Sequence, residues 1–133
     1  MLISAAIDLR LLMIVYGLVI IAMGAAVAYM GFIGIIGKYK PNGWQGANVI
    51  SFSRHSRLLY QDKYWYEINR YAGKKTQYLA ILIALLGVAV IVLPVDPQLM
   101  MISSLVMLLV LSTLGLIVIG VLTYRYAESL IPR

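Results

Sequence analysis

The chain is 133 residues long and 62% hydrophobic, with a mean hydropathy of +0.91, a formal net charge of +6 and no cysteine. That apolar content exceeds what a soluble core of this length uses, and it points to an integral membrane protein. The missing cysteine excludes disulfides, thiolate nucleophiles and cysteine-held metals.

Residues 11–37 carry no charged side chain, and neither do residues 76–95 or 97–124. Crossing a bilayer as a helix takes ~20 largely apolar residues, so each stretch is long enough. Residues 105–111 are apolar at every position, which leaves no polar face for solvent and predicts lipid all round. Backbone groups at membrane depth must pair within their own segment, and without period-two alternation a barrel is excluded. The expected architecture is a single all-α membrane domain. It has transmembrane helices at 11–37, 76–95 and 98–124, a basic loop at 38–75 and a short tail at 125–133.

The first helix is longer than the apolar core of a signal peptide and reads as a membrane span. Gly17, Gly24 and Gly31 recur at intervals of seven, with Ala28 four after Gly24. Small residues at that spacing form a stripe along which another helix can approach closely. The partner is either another helix of this chain or a second protein.

The next stretch, 38–46, reads as a tight exit from the membrane. Asn42 and Gly43 form a turn dipeptide, because both tolerate positive φ. Tyr39 and Trp44 are placed where amphipathic rings favour the headgroup layer. Residues 56–72 are expected to be a helix, with Leu58, Trp65, Ile68 and Ala72 near one face and Arg57, Asp62, Lys63, Glu67 and Arg70 elsewhere. Such an amphipathic helix either lies on the cytoplasmic membrane surface or caps the bundle. Pro94 and Pro97 bound the turn into the last helix, whose Gly115 and Gly120 read as ordinary packing residues.

Ten of the eleven Lys and Arg residues fall on one side of this arrangement: eight in the loop and two in the tail. Only Arg10 lies on the other side. The asymmetry predicts a multi-pass plasma-membrane protein with the amino terminus outside and the loop and carboxyl terminus in the cytoplasm. The loop's eight cations against Asp62 and Glu67 give it a net charge of +6. Arg54, Arg57, Lys63, Arg70, Lys74 and Lys75 are the candidates for docking anionic lipid headgroups or an acidic cytoplasmic partner. Aromatics here fall with the apolar face rather than among the arginines, which argues against direct nucleic-acid binding.

Catalytic chemistry finds little support. Ion pathways and proton relays need ionisable groups at membrane depth, and the spans hold none. His55, the single histidine, has Arg54 and Arg57 close by, and both oppose a metal cation. An acid/base or metal site shared with Asp62 and Glu67 would need convergent geometry that spacing does not supply. No glycine loop leads from strand to helix to cradle a phosphate. The expectation is a non-enzyme with no cofactor and no metal.

Around the loop, Pro41, Asn42 and Gly46 are followed by Trp65, Asn69 and Gly73 at spacings of four. This pattern resembles the SdpI family of small bacterial and archaeal membrane proteins over residues 33–87. The family carries Arg-Thr after the glycine, where this chain has Ala47 and Asn48. The resemblance implies immunity to a secreted peptide toxin together with membrane sequestration of a repressor. It assigns the loop motif to Asn42, Gly46, Trp65, Asn69 and Gly73, with Trp65 anchoring the loop helix, Asn69 tying it to the first helix and Gly73 permitting a turn into the second. Two functions are therefore expected. The leading one is a small accessory subunit of a larger membrane complex, packed through its glycine stripe and docked through its basic loop. The alternative is an SdpI-like immunity or signalling protein.

Overall fold

The computed structural model describes residues 2–41 and 46–132, with side chains from residue 8 onward. Among the described residues the protein is all-α, with no strand. Its elements are α1 (Leu2–Ile35), a 3-10 turn (Asn48–Phe52), the one-turn α2 (Ser56–Leu59), α3 (Asp62–Val92) and α4 (Pro97–Ser129). Three stretches, Asp8–Ile35, Asp62–Val92 and Pro97–Ser129, are long and apolar enough to cross a membrane.

The helix ends follow from local chemistry. Gly37 takes φ +75°, and the Lys38 N–H bonds the Ile33 carbonyl at 3.1 Å, which closes α1 in the left-handed motif that glycine permits. At the start of α4, Pro97 occupies the first turn and the Asp96 carboxylate accepts the Leu99 N–H at 3.2 Å.

α3 departs from the expected boundaries. The helix expected over 56–72 divides: Ser56–Leu59 form the separate α2, and from Asp62, after an extended Gln61, the rest runs without a break into the span expected over 76–95 and ends at Val92. Gly73 therefore does not turn the chain; it sits buried in mid-helix. The change from charged to uncharged sequence at Lys75 marks where apolar surroundings begin, not where the helix stops. At 1.5 Å per residue α3 is about 46 Å long, against ~30 Å of bilayer hydrocarbon, so about a third of it projects beyond.

α1 and α3 run antiparallel in close contact along most of their length. Gly17 faces Gly87, Gly24 faces Ala80 and Ala84, and Gly31 faces Gly73. A Cβ at Gly24 would lie 3.0 Å from the Ala80 carbonyl, and one at Gly31 would lie 2.8 Å from that of Gly73. The α1 stripe is thus met by a second one, Gly73, Ala80 and Gly87, also spaced by seven. A seven-residue repeat on both helices keeps one seam in register over several turns. Gln77 donates to the Ala28 carbonyl across the same seam at 2.7 Å. The stripe expected to serve a partner or an internal helix is used internally.

α4 packs on α3 and touches α1 at few points, one of them the Ser104 hydroxyl against Tyr16 Oη at 3.3 Å. Gly115 lies against Leu79, whereas a Cβ at Gly120 would meet nothing within 4 Å, since half-buried Gly120 borders open space between the helices. One core, including Ile20, Leu79, Ile83 and Leu108, joins the three long helices. A second gathers Ile50, Leu59, Tyr64, Trp65, Ile68 and Ala127 at the loop end.

Candidate functional site

The second core is where the loop motif assembles. Trp65 is fully buried, and its indole Nε1–H donates to the Tyr39 carbonyl at 2.7 Å. The Tyr60 ring stacks on it with centroids 5.3 Å apart. One turn later, Asn69 is 2% exposed and uses both ends of its amide. Its Oδ1 accepts the Ala47 N–H at 2.8 Å, and its Nδ2 donates to the Trp65 carbonyl at 2.9 Å. A buried amide with both functions paired is a fixed point, because leaving either unpaired would be costly.

Gly46 completes the arrangement. Its φ of +100° is a conformation that side chains resist, and a Cβ there would meet Asn69 Oδ1 at 2.8 Å and Trp65 Cζ2 at 3.0 Å. Gly34 brings α1 close beneath, where a Cβ would stand 2.9 Å from the Asn69 carbonyl oxygen. Gly46, Trp65, Asn69 and Gly73 thus converge on one small region, with Tyr39 between them. Asn69 ties α3 to the loop at Ala47, and Trp65 makes the bond to the chain leaving α1. Asn42 lies outside the described residues, as do Gly43 and Trp44. The Tyr39 phenol bonds the Met30 carbonyl at 2.9 Å, and burial, with a smaller contribution from Tyr29, raises its pKa above the ordinary tyrosine value.

Leu58, Trp65 and Ile68, expected on one apolar face, pack into this core with Ala127 of α4. The face caps the bundle and is not free to lie in the headgroup layer.

A link to the tail was not expected. The Ser53 hydroxyl hydrogen-bonds the Glu128 carboxylate and also accepts the His55 N–H at 3.1 Å. His55 Nδ1 stands 3.7 Å from the other Glu128 oxygen. Nearby, the Tyr126 hydroxyl donates to Glu67 at 2.9 Å, and the Tyr126 and Tyr71 rings stack at 4.2 Å. His55 thus meets Glu128, a residue that the sequence did not single out; Glu67 goes to Tyr126. Among the described residues, no three His, Asp or Glu side chains gather as metal ligands.

The basic candidates separate into groups. Lys63, Arg70 and Lys74 line one polar recess with Glu67, Tyr71 and Tyr126. Lys75 lies over the Tyr71 and Tyr78 rings at 5.4 and 5.7 Å. Arg54 and Arg57 are exposed on the loop, outside that recess.

Beneath the motif, a groove of about 490 Å³ runs between α1, α3 and α4. Gly46, Asn69 and Gly73 line its loop end, and Val27, Ile83 and Leu116 are among its apolar walls. Thr123, 1% exposed, also lines it, and its hydroxyl has no hydrogen-bond partner. The groove bears no charged side chain, so it offers apolar contact and neutral hydrogen bonds rather than acid/base chemistry. Searches of family models, curated proteins and solved structures return no match to this chain.

Proposed function

We propose that this chain is a non-catalytic, SdpI-like membrane protein that acts without a larger host complex, in immunity to a peptide toxin or in signalling. One observation carries the proposal: Gly46, in the loop, packs against Trp65 and Asn69 of α3, and the two side chains bond the loop chain at Tyr39 and Ala47 in one buried cap. A spacing of four on one helix puts Trp65, Asn69 and Gly73 on one face by itself; the approach of the loop glycine to that face is what the spacing does not supply. The cap seals the loop end of the α1–α3 pair and forms one end of the uncharged groove. On this reading the amino terminus is outside, with the loop and tail in the cytoplasm, as ten cations against one favour. The exposed cations hold the cap against anionic headgroups or an acidic partner.

A second reading, the accessory subunit, is favoured by α4. Hardly any residue of its most apolar window is buried, which suits either lipid or a neighbouring subunit. The glycine stripe no longer supports that reading, because α3 occupies it.

The test is protection. The chain is expressed alone in cells challenged with secreted, membrane-active peptide toxins, beside Trp65→Ala and Val106→Ala variants matched for membrane abundance; Val106 is exposed on α4 and lines neither groove. The proposal expects survival with the native chain and Val106→Ala, and loss of survival with Trp65→Ala. No protection by the native chain, or protection indifferent to Trp65, contradicts it.

A further inference from the structure

A second groove, of about 470 Å³, runs between α3 and α4 and includes no α1 residue. Leu82, Met107, Leu114 and Val118 are among its walls, and it is apolar along its length until the loop end, where Lys75 stands. The Lys75 ammonium lies over the faces of Tyr71 and Tyr78. Tyr71 also lines the polar recess that holds Lys63, Arg70 and Lys74. The one carboxylate there, Glu67, already accepts the Tyr126 hydroxyl. Groove and recess share no lining residue, but the contact of Lys75, at the groove's end, with Tyr71, in the recess, sets them side by side as an amphipathic track.

We propose that this track is a discrete site for one anionic phospholipid, with an acyl chain in the α3–α4 groove and the phosphate on Arg70, Lys74 and Lys75. An apolar groove alone would take any hydrocarbon chain; the cations at its mouth supply the selection. Arg70 offers a planar fork to phosphate oxygens, and the two ammonium groups add point charges. A zwitterionic headgroup would bring its own cation against the same cluster, so a net-negative headgroup is preferred. The height agrees: from Lys75 back to Lys63, α3 rises about 18 Å, the part of the helix that leaves the apolar layer.

The proposal rests on the membrane-spanning reading, and one experiment separates the two. The full chain is extracted in mild detergent and examined by native mass spectrometry during titration with phosphatidylglycerol or phosphatidylcholine of identical chains. The native protein is expected to retain phosphatidylglycerol at lower lipid concentration than phosphatidylcholine. R70Q/K74Q/K75Q, which removes the three cations, should weaken phosphatidylglycerol binding roughly fivefold per cation removed and phosphatidylcholine binding less, so that the preference between the two lipids is lost. V118W, which fills the groove, should weaken both lipids. Equal retention of the two lipids by the native chain overturns the site, as does a preference that survives the triple substitution. Binding unaffected by V118W removes the groove from it. Recovery of the chain in aqueous buffer without detergent would instead overturn the membrane reading itself.

Discussion

Gly46 shows how much one backbone conformation decides here. Its φ of +100° and the nearness of Asn69 and Trp65 make it the point where the loop is pinned to α3. Gly46→Ala combines strain with a clash and is expected to destabilise by about 1–3 kcal/mol, read as thermal unfolding in detergent. Gly37 makes the comparison: its φ is also positive, but a Cβ there would find Tyr66 at a comfortable 3.6 Å. Gly37→Ala should therefore cost only the strain, and equal losses at the two positions would refute the clash. At Trp65, replacement by Phe keeps a buried ring and removes the bond to Tyr39, costing about 1 kcal/mol. Ala at the same place should cost about 3–5 kcal/mol. If Phe proved as damaging as Ala, the hydrogen bond rather than the packing would hold the cap.

At the scale of elements, the paired stripes of α1 and α3 make the sharpest prediction. Gly24→Leu drives a side chain into Ala80 and Ala84, and it should lower stability by about 1–3 kcal/mol or more and separate the two helices. Gly120→Ala adds a Cβ that meets nothing within 4 Å and should give no clash in the same unfolding assay. Similar effects at both positions would show that the seam is not what holds the pair. Much of this level was legible in the sequence. The three uncharged stretches marked the membrane helices, and the sevenfold glycine spacing marked a packing face. The matching Gly73, Ala80 and Gly87 repeat was equally readable, but a reading that expects Gly73 in a turn does not look for it in a seam. The length of α3 was hidden for a related reason, since charge reports surroundings and not helix continuity. Glu128 gave no local signal, because its partners Ser53 and His55 lie more than 70 residues away and only the fold brings them together.

For the whole molecule, orientation and solitude are the two claims that matter. With no cysteine in the chain, single cysteines report topology cleanly. Phe52, 83% exposed in the loop, and Val95, in the turn before α4, should differ in reactivity toward an impermeant maleimide. Labelling of Val95→Cys but not Phe52→Cys in intact cells is the expected result, and the reverse would invert the topology. The fold makes a self-contained account possible. The α1–α3 seam is satisfied internally, the cap is closed by its own residues, and the apolar faces left open on all three long helices, Leu18 of α1, Leu85 of α3 and Leu109 of α4 among them, suit lipid. The central claim is that such a chain works without a host complex, and the direct measurement is its size and company in mild detergent, by pull-down with mass spectrometry and native gel migration. The account predicts migration alone or as a small homo-oligomer. Stoichiometric recovery with the subunits of a larger membrane complex would contradict it and establish the chain as an accessory subunit.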